Sequence, residues 1–250
     1  MNFDFQLDRI ASILEGLEES IVYKLLDRAQ FARNPGAYSE SESGFPEYPG
    51  ESLLDVRLKF QEDMDARFGR FEVPEERPFT SKLPVATRSV KDLPVFPLSS
   101  LDVISQSAGI KRAYLRLLDD LCANGSDGHL GSSVEHDVAA LQAIARRIHF
   151  GALYVSEAKF RADPVHYEDL ATRGNKDAIL QALTRSVVEQ KIIQRVGAKV
   201  DSIQMQVNHS VRRKIEPRVI LDFYQNVVIP LTKEGEVAYL LSRVNQDADQ

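Results

Sequence analysis

The residues in this chain whose types and spacing could do chemistry are cations and acids set among helical apolar runs. In RRIHFGALYVSEAKF (146–160), Arg147 and Lys159 flank Ile148, Phe150, Leu153, Tyr154 and Val155. Further along, Arg185 and Glu189 stand four residues apart, as do Thr232 and Glu236. On a helix, that spacing puts both members of a pair on one face. Such groups can bind an anion or stabilise charge that builds during a reaction. Spacing alone favours a plainer reading, a solvated face with ion pairs worth about 0–1 kcal/mol each.

Other chemistries lack their residues. The chain has no GxxxxGK[ST], GxGxxG, CxxC or HExxH pattern. His129, His136, His149, His166 and His209 include no i, i+4 pair, so no metal site is expected. Cys122 is the single cysteine and reads as a small core residue. Without an intrachain disulfide, a cytoplasmic setting is the simplest expectation. A net charge of −6 and a pI near 5.5 argue against a nucleic-acid or anionic-membrane surface, while leaving room for a small anion in a locally basic pocket. No apolar window reaches the length of a membrane span, and the acidic, amphipathic N-terminus lacks secretory-signal features.

The elements that must position these residues are helical. Apolar residues at three- and four-residue steps predict helices over 7–32, 52–68, 101–123, 133–162, 164–172, 176–206, 216–227 and 230–245. Ser132 or Ser133 is the expected cap of the fourth, and Pro230 the expected first-turn residue of the last. Proline-punctuated residues 70–100 read as a long surface connection. No run alternates with period two. The prediction is an all-α chain, one large domain of long packed helices over 1–250. A faint echo between 17–32 and 141–160 gives it an internally duplicated look.

The segments LQAIARRIHFGALYVSEAKF, SVVEQKIIQRV (186–196) and VVIPLTKEGEVAYLLSRV (227–244) resemble the all-helical fungal and plant chorismate mutases. LEESIVYKLLDRAQFA (17–32) and RFEVPEERPF (70–79) extend the likeness over nearly the whole chain. The resemblance implies an isomerase that rearranges chorismate to prephenate without metal or cofactor, as a homodimer with one active site in each subunit. It assigns Arg147 to a substrate carboxylate, Lys159 to the ether oxygen and a neighbouring carboxylate, Glu236 to the ether oxygen, Glu189 to the ring hydroxyl and Thr232 to a carboxylate. A competing expectation is a non-catalytic helical relative that binds a shikimate metabolite or an aromatic amino acid.

Several positions depart from the family pattern. Ala11 stands where the first helix usually offers an arginine. One extra residue separates Arg147 from Lys159; twelve positions turn a straight helix about 120° out of line, and a π-bulge near Gly151 would restore the facing. Arg185 replaces a small polar residue, so it either substitutes for the missing cation in substrate binding or pairs with Glu189. Arg70, Gly131 and Ser132 match parts of an effector site between subunits, whereas Gly69 and Glu135 do not.

Overall fold

The structure is a computed structural model that describes residues 3–40 and 42–247. Among these residues the regular secondary structure is all helical, with one isolated bridge between Ala32 and Ala123 and no strand. In chain order the helices are α1 (Leu7–Arg28), α2 (Leu53–Arg67), α3 (Ser107–Leu121), α4 (Leu130–Phe150), α5 (Ser156–Ala162), α6 (Pro164–Thr172), α7 (Lys176–Leu183), α8 (Ser186–Met205), α9 (Pro217–Phe223) and α10 (Ile229–Asp247). No described helix is long and apolar enough to cross a membrane.

Two apolar clusters hold the bundle together. Ile21 and Leu25 of α1 join Leu118, Leu141, Ile144 and Tyr224 in the larger one. The other gathers Ile10 at the start of α1 with Phe96, Leu153, Tyr154, Tyr239 and Leu240. A buried ion pair crosses the first cluster: Arg28 Nε donates to Asp137 Oδ1 at 2.6 Å, and Tyr38 and Tyr114 donate to the same carboxylate. Those hydroxyls satisfy lone pairs that would otherwise be costly to bury.

Element boundaries differ from the periodic pattern wherever a side chain competes for the backbone. α1 stops at Arg28, not at residue 32, because that guanidinium takes the carbonyls of Phe31 and Ala32. The segment 101–123 breaks after a short 3-10 turn (Leu101–Ile104), where the Gln106 N–H donates to His149 Nε2 on α4. α4 begins at Leu130, ahead of the expected cap. Ser133 is buried and accepts instead from Asn34 Nδ2, so neither Ser132 nor Ser133 caps the helix.

Two π-turns shape the site. Gly151–Val155 links α4 to α5, so 130–162 runs as one helix with a local widening. Tyr224–Val228 links α9 to α10, and the Ile229 N–H donates to the Tyr224 carbonyl five residues back. Pro230 therefore lies inside a continuous helix and does not open a new one. Proline lacks a donor and crowds the carbonyl four residues earlier, and a widened turn just before it relieves both problems.

α10 crosses the first π-turn closely. A Cβ built on Gly151 would lie 2.6 Å from Thr232 Cγ2, and one on Gly235 would lie 2.6 Å from Ala152 Cβ. Gly235→Ala should push the two helices apart and destabilise the fold by about 1–3 kcal/mol. A thermal melt should fall by several degrees; a melting temperature unchanged within about one degree would contradict this packing.

Candidate active site

The Gly151 π-turn decides where Lys159 points. With it, Arg147 and Lys159 both line one cavity of about 1060 Å³, which also receives Glu189, Thr232 and Glu236. α1 supplies a wall of Leu7, Asp8, Ile10, Ala11 and Leu14, and α6 to α8 add further lining residues. The five residues singled out in three separate segments thus meet, with Arg185, in a single space.

Arg147 is almost fully buried at the end of α4. Its Nη1 donates to Thr232 Oγ1 at 3.5 Å, and the Thr232 hydroxyl donates to the Val228 carbonyl at 2.7 Å. Arg147 Nη2 lies 3.9 Å from Glu18 Oε1. Glu18, wholly buried in the apolar stripe of α1, is gripped at both oxygens by Arg195 Nε and Nη2, each at 2.8 Å. Burial pulls the Arg147 guanidinium below its ordinary value, opposed chiefly by Glu18. Arg147 Nε is buried without a hydrogen-bond partner.

Lys159 Nζ donates to Glu236 Oε2 and to the Leu183 carbonyl, both at 3.1 Å. Glu236 is buried, and that burial raises its pKa against the attraction of Lys159, Arg147 and Lys233. Its carboxyl therefore keeps a proton at higher pH than an ordinary glutamate, which lets it donate as well as accept. Glu189 accepts from Lys233 Nζ at 2.9 Å.

The expected Arg185–Glu189 pair does not form. The segment 176–206 is two helices, and Arg185 stands between them at φ −129°, ψ 87°, off the helical face that carries Glu189. The break follows from Lys159 claiming the Leu183 carbonyl and from the Lys233 ammonium reaching Thr184 Oγ1 and Glu189. Sequence reasoning missed Lys233 and Glu18 as well. Lys233 follows Thr232 directly, and Glu18 interrupts an otherwise apolar stripe between Leu14 and Ile21, which was the available signal.

Within one chain the effector positions fall on different elements, as a site shared between subunits allows. Arg70 is engaged by Asp65, Glu76 and Gln142, whereas Gly131 and Ser132 sit in the first turn of α4. Gln142 and Ser132 are about 15 Å apart along that helix at 1.5 Å per residue. Gly69 has φ +83°, and a Cβ there would lie 2.4 Å from the Arg88 carbonyl oxygen, so no arginine fits. Among the described residues no group of three or more His, Cys, Asp or Glu side chains could hold a metal ion.

Known proteins are similar to this chain in sequence and fold. The chloroplastic chorismate mutase 1 of Zea mays is 35% identical over 248 residues, covering 96% of this chain and 79% of its own. The chorismate mutase of Saccharomyces cerevisiae is 33% identical, with 96% of each chain covered. This chain belongs to the chorismate mutase family. The fold of this chorismate mutase agrees: the Candida albicans Aro7p enzyme, solved in complex with L-Trp, superposes with a TM-score of 0.89 at 32% identity over 98% of this chain and 97% of its own. The maize chloroplast enzyme superposes with a TM-score of 0.85 over 96% of each chain, at 34% identity. No protein-family model matches the chain.

Proposed function

We propose that this chain rearranges chorismate to prephenate in phenylalanine and tyrosine biosynthesis, using the cavity between α1, the α4–α5 helix, α8 and α10. The observation that supports it most is the meeting of Arg147, Lys159, Glu189, Thr232 and Glu236 in one space despite the extra residue. The reaction is unimolecular. One C–O bond breaks as one C–C bond forms, and no nucleophile, metal or cofactor takes part.

Two tasks remain for the protein. A flexible dianion must be held in the compact diaxial conformer, which removes the entropic part of the barrier. Negative charge building on the ether oxygen must also meet fixed donors. In this reading Arg147 grips one carboxylate, with Thr232 beside it. Lys159 donates to the ether oxygen from one side and protonated Glu236 from the other. Glu189, held by Lys233, accepts the ring hydroxyl.

Purified protein incubated with chorismate should consume its ultraviolet absorbance and yield one prephenate per chorismate, unaffected by a metal chelator. A rate equal to that in buffer would reject catalysis. It would favour the competing reading of a binding protein for a shikimate metabolite or aromatic amino acid, which draws on Ala11.

The reading includes a homodimer, supported by the exposed apolar residues Phe60, Met64 and Phe68 on and just beyond α2. Light scattering giving the mass of one 28.1 kDa chain would reject it. A cytoplasmic setting is supported by the cytosolic chorismate mutase 2 of Zea mays, 31% identical over 96% of this chain.

A further inference from the structure

Four cations line the cavity, and three already face a carboxylate. Arg147 lies 3.9 Å from Glu18, Lys159 lies 3.1 Å from Glu236 and Lys233 lies 2.9 Å from Glu189. Arg185 differs: among the described residues no carboxylate lies within 4.0 Å of it. Its Nη1 donates to the main-chain carbonyls of Ala182 at 3.0 Å and Thr184 at 3.3 Å. Those carbonyls end α7, where the helix dipole is negative, and they fix the guanidinium without neutralising it. Its Nε and Nη2 remain open. That is the same edge with which Arg195 grips both oxygens of Glu18.

The α1 lining offers an anion nothing. α1 presents Leu7, Ile10, Ala11 and Leu14, and its one charged lining residue is Asp8. For a substrate with two carboxylates, one of them on Arg147, Arg185 is the lining cation not already committed to a carboxylate of the protein. Resting on the function proposed above, we infer that Arg185 is the second carboxylate clamp, presented by the α7–α8 break through its Nε/Nη2 edge. The non-helical backbone at Arg185 serves this purpose, because it takes the side chain off the α8 face carrying Glu189 and hands it to the α7 carbonyls.

Steady-state kinetics of Arg185→Ala tests this, with chorismate and with two inhibitors, a cyclic diacid and its analogue lacking one carboxylate. A charge-assisted bidentate contact predicts an increase of roughly ten- to a hundredfold in KM and in the diacid Ki. The monoacid Ki should stay within about twofold, since it has no second carboxylate to lose. Adding Ala11→Arg to Arg185→Ala should recover part of the affinity by supplying a cation from α1, which also lines the cavity. Unchanged KM and diacid Ki at an unchanged melting temperature would overturn the clamp. So would an equal loss for diacid and monoacid, or no recovery with Ala11→Arg. An inactive parent protein would count against the proposed function instead, and calorimetric Kd values of the diacid and monoacid for parent and Arg185→Ala would then test the clamp.

Discussion

Arg147→Ala is expected to lower kcat/KM for chorismate about a thousandfold or more while leaving the fold in place. Removing one preorganised donor from a buried site typically costs 10²–10³ in rate, and this guanidinium lines the cavity with its Nη1 beside Thr232. Fold survival follows from the balance of charge. Glu18 keeps two bonds from Arg195 and has Lys199 Nζ at 3.8 Å, so loss of Arg147 leaves no isolated buried carboxylate. Arg147→Lys should recover little, because a point charge cannot reproduce the guanidinium fork. The measurement is a rate assay paired with a thermal melt. An activity within tenfold of the parent would remove Arg147 from the site.

Activity should also disappear as pH rises, in a manner that depends on Glu236. The sign follows from the group's state. Burial raises its pKa, so the neutral acid persists above the ordinary carboxylate range, and only that form can donate to the ether oxygen. Once pH exceeds this pKa, kcat/KM should fall about tenfold per unit. The substrate's two negative charges push the pKa further up, so kcat should decline at higher pH than kcat/KM. Glu236→Gln carries a permanent donor and should give a profile flat over the same range. A parent profile flat well into alkaline solution would show that no proton on Glu236 is needed. A Gln variant inactive at every pH would show that the carboxyl acts otherwise.

Periodicity was enough to place most helices, because long amphipathic stripes such as Leu7 to Leu26 have one stable way to be buried. The extra residue before Lys159 was legible too, since a twelve-residue interval demands a widened turn, and Gly151–Val155 provides it. What escaped depends on contacts distant in sequence. The break at Arg185 is set by Lys159 and Lys233 reaching across from two other helices, and a single apolar stripe over 176–206 carries no trace of them. Pro230 looked like a helix start for a local reason: its tolerance inside a helix rests on the preceding π-turn, which apolar periodicity does not reveal. The role of Glu18 as counter-ion became visible only with Arg195, a residue 177 positions away.

The central claim is that this cavity fits a compact dianion better than a flexible one. Calorimetry with a rigid bicyclic diacid, whose bridge fixes the folded geometry, tests it against the ground-state-like product prephenate. The account predicts binding at least about a hundredfold tighter for the bicyclic compound. Equal affinity for the two would mean that the cavity collects carboxylates without selecting the folded form, and the account would fail.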